Sequence, residues 1–119
     1  MRVVVDSSVW IDHLRATDKL IQILLSENRV FLTDTILGVL LVGNLSRRSN
    51  ILTHLLQLPR LDAPDFHFIF LLLEEQNLFG SGLNWGDVTI LATGFENRIP
   101  LYTRDVRLHK AAAKLNLAI

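Results

Sequence analysis

Three aspartates stand at positions where their carboxylates could share one bound cation. Asp6 directly follows the strand-like residues 2–5, and Asp105 follows the strand-like residues 99–103 with one residue between them. Asp87, in "NWGDVTILA", lies in the first turn of a predicted helix that precedes residues 99–103. In an open α/β sheet the ligand crevice lies outside the carboxyl ends of the strands. We therefore predict that the three carboxylates converge at one edge of a sheet.

Converging carboxylates without a basic partner repel one another and raise one another's pKa values, so a cation is expected among them. Oxygen ligands favour Mg²⁺ or Mn²⁺. A zinc site is not expected, because the sequence has no cysteine and its four histidines show no zinc-site spacing. Each aspartate alone is equally well explained by helix capping, which contributes about 1 kcal/mol. Their coincidence indicates a metal-dependent nuclease.

Composition limits the classes of protein to which the chain can belong. The chain has 119 residues, half of them apolar and none of them cysteine, which predicts one domain, residues 1–119, in a reducing cytoplasm. The longest apolar run, residues 68–73, is far shorter than the roughly 18 residues of a membrane span, and no secretory signal precedes the first strand, so we expect a soluble protein. The 12 basic and 12 acidic side chains cancel, so any nucleic-acid contact has to be local.

Strand-like and helix-like segments alternate along the chain. Predicted strands cover residues 2–5, 29–33, 60–63 and 99–103, with a further edge strand at 117–119. The predicted helices cover residues 7–15, 17–26 with Thr17 as cap, 34–43, 46–58, 65–79, 84–97 and 106–116. This alternation predicts an α/β protein, a three-layer α/β/α sandwich around a mostly parallel sheet of four or five strands.

The predicted helix at residues 65–79 carries more apolar side chains than one buried stripe requires. Phe66, Phe68, Phe70 and residues 71–73 surround most of its circumference. Such a surplus favours burial on two sides, as in a contact between two copies of the chain.

Three blocks of the sequence carry a family resemblance: "VVVDSSVWIDHLR" at residues 3–15, "FLTDTILGVLLVGNL" at 31–45, and "GLNWGDVTILATGFENRIPLYTRDVRLHKAAAKLNLA" at 82–118. In this order they resemble the PIN-domain ribonucleases, and among them the VapC toxins of type II toxin–antitoxin systems. The resemblance implies a PIN-like fold, a Mg²⁺ or Mn²⁺ site, and endonucleolytic cleavage of transfer or ribosomal RNA. It also implies a homodimer and a cognate VapB-like antitoxin that blocks the site.

The resemblance also assigns roles to single residues. Asp6, Asp87 and Asp105 match three acids of the family, which makes them the expected catalytic residues and metal ligands. Ser8 and Thr103 match hydroxyl positions that hold these carboxylates or support a metal-bound water.

Basic residues after the last long strand are the expected RNA contacts. Arg104 resembles the family's basic neighbour of the site, suited to a phosphate. Arg107, His109 and Lys110 follow on the last helix, where they could contact the RNA backbone. The alternative for this cluster is a plain cationic surface that faces solvent.

A fourth acid of the family is missing. Where the family carries glutamate in a pattern like "GELLxGN", this sequence has "GVLLVGN", with Val39 at the glutamate position. We expect metal affinity and cleavage rate to fall by about 10- to 100-fold. An inactivating substitution and a natural lineage with altered catalysis both fit, and Asp34 is a remote candidate for a substitute carboxylate. Beside apolar neighbours, Val39 is expected to add burial.

Other functions compete with an active toxin. A catalytically inactive PIN-fold protein could bind antitoxin or RNA without cleavage, and Val39 makes that alternative credible. A nuclease of RNA maturation would differ from a toxin by gene context more than by chemistry. A phosphoacceptor receiver domain needs adjacent acids after its first strand and a late lysine, whereas serines follow Asp6 and "YTRD" contains no lysine.

Overall fold

Four short strands and seven helices alternate along the chain. The computed structural model describes residues 1–119. The strands are β1 (Val3–Val5), β2 (Val30–Thr33), β3 (Arg60–Leu61) and β4 (Leu101–Tyr102). The helices are α1 (Ser7–Arg15), α2 (Lys19–Ser26), α3 (Asp34–Val42), α4 (Arg48–Leu55), α5 (Phe66–Glu75), α6 (Trp85–Asn97) and α7 (Val106–Lys114). None of the helices has both the length and the apolar character that crossing a membrane requires.

The strands form one parallel sheet in the order β3-β2-β1-β4. In the register of the sheet, Val3 of β1 lies opposite Val30 of β2, while Val4 of β1 lies opposite Leu101 of β4. All three strand pairs are parallel, as helical crossovers between successive strands require. The predicted α/β class and its parallel sheet are confirmed.

The central strand β1 is the most deeply buried element. Val3, Val4 and Val5 are fully inaccessible to solvent. Helices cover both faces of a parallel sheet, so its central strand is apolar throughout instead of alternating between apolar and polar residues. The continuous valine run is therefore the sequence signature of its position, and 27 buried apolar residues form one core around the sheet.

The chain order of the strands fixes where a ligand crevice can form. The chain adds β2 and β3 on one side of β1 and then places β4 on the other side. Between β1 and β4 the direction of winding changes, and ligands of such sheets bind beyond the strand ends at this switch point. The backbone N–H of Asp6 donates to the carbonyl of Tyr102 at 2.9 Å, which ties the two strand ends together.

Helix α6 is held in place at both ends. At its start, the Asn84 side chain accepts from the Asp87 N–H at 2.8 Å, and the Asp87 carboxylate accepts from the Asn84 N–H at 3.3 Å. This capping box fixes the first turn. Near its end, a Cβ added to Gly94 would lie 2.8 Å from the carbonyl oxygen of Ile99, so only glycine permits this approach to the segment that enters β4.

Several predicted boundaries are wrong by a few residues. Residues 117–119 contribute a single parallel bridge, between Leu101 and Ala118, and form no fifth strand. Helix α5 ends at Glu75 instead of residue 79, because Asn77 adopts a left-handed conformation with φ of 52°. The cap of α2 is Asp18, one residue later than the predicted Thr17.

Candidate active site

Asp6 lies at the end of β1, and its carboxylate is held by two hydroxyl groups. The side chains of Ser8 and Thr103 each donate a hydrogen bond of 2.8 Å to Oδ2 of Asp6. Only 6% of Asp6 is exposed to solvent, so these bonds offset part of the cost of removing the carboxylate from water. The predicted supporting roles of Ser8 and Thr103 agree with these contacts.

The same hydroxyl groups organise the loop between β4 and α7. Ser8 Oγ accepts from the backbone N–H of Arg104 at 3.0 Å, and Thr103 Oγ1 accepts from the N–H of Asp105 at 3.1 Å. Oδ1 of Asp105 caps α7 by accepting from the N–H groups of Arg107 and Leu108 at 2.9 and 3.1 Å. The side chain of Asp6 and the backbone of Asp105 are therefore joined through one hydroxyl group.

Asp87, in the first turn of α6, lies in the electrostatic field of the other two acids. Burial raises the pKa of its carboxyl, the hydrogen bond with the backbone of Asn84 lowers that pKa in part, and the charges of Asp105 and Asp6 raise it further. The net effect is a pKa above the ordinary value of 3.8. The charges of Asp105 and Asp6 therefore act on Asp87, so the three acids that the sequence singled out share one electrostatic environment.

The donor chemistry at this edge suits a hard divalent cation. In each of Asp6, Asp87 and Asp105, one carboxylate oxygen accepts hydrogen bonds from the protein and the other accepts none. None of the three forms an ion pair with a basic side chain. The side chains do not, however, form a closed ligand set, since no three acidic or histidine residues anywhere in the chain are grouped tightly enough to hold a metal ion.

Arg104 lies beside the acids but is directed away from them. Its Nη2 contacts Oδ2 of Asp18 at 2.6 Å, and its Nε contacts Oδ2 of Asp12 at 3.3 Å. The hydroxyl of Tyr102 donates to the same Asp18 oxygen at 3.1 Å, and the guanidinium lies over the Tyr102 ring. Arg104 thus connects α1, the cap of α2 and β4, and two of its guanidinium nitrogens contact carboxylates.

Asp18 is a residue whose importance the sequence did not reveal. Burial raises the pKa of this carboxyl, but hydrogen bonds from the Ile21 backbone, Arg104 and Tyr102 outweigh burial and leave the pKa below its ordinary value. The residues "TDK" before α2 signal a helix cap, yet the side-chain partners of Asp18 lie 84 and 86 positions away in sequence. Only the folded chain brings them to Asp18.

Val39 is not buried as expected. Its side chain is 47% exposed and lines an apolar cavity of about 370 Å³ between α1 and the end of α3. The expectation that valine adds burial at this position is wrong, because the side chain lies on the outer side of α3, next to the buried Leu40. Asp34, the remote substitute for the missing acid, forms an exposed ion pair with Arg60 at 3.1 Å.

Comparison with known proteins places the chain in a family. Ribonuclease VapC32 of Mycobacterium tuberculosis, in strains CDC 1551 / Oshkosh and H37Rv, is 30% identical over 118 residues, a match that covers 98% of this chain and 95% of the relative. The chain belongs to the VapC family of PIN-domain ribonucleases. No protein-family model matches the sequence.

Solved structures agree with the VapC fold. The DNA-bound VapBC of Salmonella typhimurium superposes with a TM-score of 0.75 at 15% identity, covering 92% of this chain and 91% of that one. PAE2754 of Pyrobaculum aerophilum superposes with a TM-score of 0.63 at 17% identity, covering 100% of this chain and 88% of that one. At these identities the likeness establishes the fold.

The Asp18 contacts predict an acid-dependent loss of stability in this VapC-family chain. The lowered pKa means that the stabilisation is fully present above the ordinary value of 3.8 and disappears as pH falls through the lower pKa of the folded state. We expect Asp18→Asn, which keeps the helix cap, to lower the free energy of unfolding by about 1 kcal/mol near neutral pH. Denaturant unfolding at a series of pH values measures this difference.

The matched control is Asp62→Asn, because Asp62 is exposed and takes part in no side-chain hydrogen bond or ion pair. That change should alter the free energy of unfolding little at any pH. A difference in the free energy of unfolding between the original chain and Asp18→Asn that stays constant down to the lowest pH would contradict the stabilising role of the Asp18 carboxylate.

Proposed function

We propose that this chain is a divalent-metal-dependent endoribonuclease, the cytoplasmic toxin of a type II toxin–antitoxin pair, acting on transfer or ribosomal RNA. The observation that carries the proposal is that Thr103 joins Asp6 to Asp105 beyond the ends of β1 and β4, while the charges of both acids act on Asp87 and no basic side chain is paired with any of the three. The relationship to curated VapC ribonucleases supports RNA as the substrate.

In this proposal the unpartnered carboxylate oxygens of Asp6, Asp87 and Asp105 hold Mg²⁺ or Mn²⁺. A divalent cation in such a site lowers the pKa of water and neutralises charge on a phosphodiester. Ser8 and Thr103 hold one oxygen of Asp6 and leave the other without a protein partner. Burial and then the charges of Asp105 and Asp6 raise the pKa of Asp87, and a bound cation would oppose these effects.

Val39 weakens this site. A glutamate at position 39 would supply a fourth carboxylate, and without it the charge that holds a cation is smaller. The exposure of Val39 means that a longer, charged side chain fits there without being buried. The proposed activity of the chain as it stands is therefore low, and the fold does not depend on restoring the acid.

The alternative function is a PIN-fold protein that binds antitoxin or RNA without cleaving it. The observation that favours this alternative is the apolar cavity at Val39, which also involves Ile11, Leu14 and Ile51. An apolar surface of this type is commonly covered by a protein partner. We propose a VapB-like antitoxin as that partner in either case, as in the VapBC complex of Salmonella typhimurium.

We predict that Val39→Glu raises Mg²⁺-dependent RNA cleavage by about 10- to 100-fold, since the family resemblance assigns a carboxylate of the site to this position. Cleavage of a labelled RNA is followed with and without EDTA. Val39→Gln is the matched control, because it has the same length without the charge and should leave cleavage at the level of the original chain.

Two further measurements separate the functions. Asp6→Asn in the Val39→Glu background should abolish the gained cleavage, and calorimetric titration with Mn²⁺ should show tighter binding in Val39→Glu than in the original chain. Near-zero cleavage in Val39→Glu together with unchanged Mn²⁺ binding would favour the non-cleaving alternative.

We also propose a homodimer formed through an exposed aromatic patch, defined here as Phe66, Phe70 and Trp85. The three side chains are 69%, 44% and 50% exposed. The Phe66 ring lies 6.3 Å from the Phe70 ring and 5.7 Å from the Trp85 ring, so they form one continuous apolar surface. Aromatic residues are enriched at protein interfaces, which suits contact with a second copy.

The patch predicts the effect of removing two of its rings. Phe66→Ser combined with Phe70→Ser should turn a dimer into a monomer, because it deletes most of the apolar surface that a second copy would bury. Analytical ultracentrifugation measures the mass in solution. Phe79→Ser, at a residue that is 61% exposed but outside the patch, is the control and should keep the dimer. A dimer that survives the double substitution would contradict this interface.

A further inference from the structure

A basic cavity lies between α7 and the segment that follows α5. Its volume is about 460 Å³, and Arg107, Lys110 and Lys114 line it together with Asn77 and Ser81. No acidic side chain contributes to the lining. The chain as a whole has no net charge, so three cations around one cavity are a local concentration of positive charge.

The three cations of this basic cavity are not neutralised by the protein. Three basic residues of the chain form ion pairs: Arg29 with Glu27, Arg60 with Asp34, and Arg104 with Asp12 and Asp18. None of the three cavity cations forms an ion pair. Lys114 donates to the backbone carbonyl of Gln76 at 2.6 Å, a bond that holds its ammonium at the cavity without removing its charge.

The positions of the cations follow from the helix that carries them. Residues 107, 110 and 114 are separated by three and four positions, which places their side chains on one face of α7. At 1.5 Å per residue this row extends for about 10 Å along the helix axis. Because Asp105 caps the same helix, the row begins within one turn of Asp105.

Arg107 is held by its surroundings. A Cβ added to Gly82 would lie 3.0 Å from Cδ and 3.2 Å from Nε of Arg107, so the guanidinium stem rests against the backbone of this glycine. Gly82 also has φ of +84°, a conformation that other residues rarely adopt. The close approach of Gly82 to Arg107 and the positive φ of this glycine keep the Arg107 side chain beside the cavity.

We propose that the basic cavity binds backbone phosphates of the RNA strand that flank the bond to be cleaved. A row of cations that faces no acidic side chain and starts two residues after Asp105 matches a repeating anion better than a single small one. Phosphate contacts of this type position a strand and carry no sequence information. This inference rests on the proposed nuclease function and adds Lys114 and the cavity to it, whereas Arg104, which is paired with Asp12 and Asp18, does not line the cavity.

The test is the salt dependence of RNA binding in EDTA, where cleavage does not occur. Fluorescence anisotropy of a short labelled single-stranded RNA gives the affinity at several salt concentrations. For single strands the slope of log affinity against log salt changes by about 0.7 for each phosphate that the protein no longer neutralises. Lys110→Gln combined with Lys114→Gln should therefore flatten the slope by about 1.4, and Arg107→Gln alone by about 0.7.

Arg98→Gln is the matched control. Arg98 is an exposed arginine without an ion pair at the end of α6, which leads into β4 at the opposite edge of the sheet from the acids. Its removal should leave the slope unchanged. Circular dichroism of each variant checks that the fold is intact, and the Arg107→Gln variant tests the cavity independently of the Lys114 bond to Gln76.

The outcomes separate the cavity from the nuclease function. RNA binding by the original chain with the same slope in all variants would overturn the cavity proposal and leave the nuclease proposal standing. Absence of RNA binding in every protein would overturn the cavity proposal, and the nuclease proposal would also fail if Val39→Glu does not cleave RNA. Binding of an oligoglutamate peptide is measured with the same variants. If the variants bind this peptide more weakly while the salt dependence of RNA binding is unchanged, the ligand of the cavity is an acidic protein segment and the RNA proposal is overturned.

Discussion

The site depends on the pair of hydroxyl bonds from Ser8 and Thr103 to Oδ2 of Asp6. These bonds join the end of β1 to the end of β4, the two strands between which the winding of the sheet changes direction. They provide hydrogen-bond partners for a carboxylate that is only 6% exposed and has no basic partner. The same hydroxyl oxygens accept backbone N–H groups of Arg104 and Asp105, so the loop that carries the third acid is positioned by the first.

The charged side chains near Asp6 include acids without ion pairs and a row of basic residues on α7. Burial raises the pKa of Asp87 and the charges of Asp105 and Asp6 raise it further, while Arg104 is bound to Asp12 and Asp18 and forms no ion pair with these three acids. Positive charge lies on one face of α7, the helix that Asp105 caps. In the proposed function, the acids would bind a divalent cation beside a positive surface that would attract phosphate, an arrangement suited to cleavage of a polyanion.

Local sequence patterns predicted the parts of the fold that depend on local physics. The valine run of β1, the Asp65 cap of α5 and the acids after strand ends all follow from burial and capping, which neighbouring residues determine. Long-range contacts were missed, because no pattern connects Asp18 to Tyr102 and Arg104 across more than 80 residues. The apolar helix α3 suggested burial for Val39, but which side of that helix faces outward depends on how it packs against α1 and α6.

In the proposed function, Asp6, Asp87 and Asp105 bind one divalent cation together. Anomalous diffraction from crystals of the Val39→Glu variant soaked in Mn²⁺ tests it most directly, because the metal is located without reference to activity. We expect an anomalous peak within ligand distance of Asp6, Asp87 and Asp105 in Val39→Glu. This peak should be lost in the Asp6→Asn form of the same variant. Mn²⁺ bound elsewhere, or no peak between these carboxylates, would contradict it.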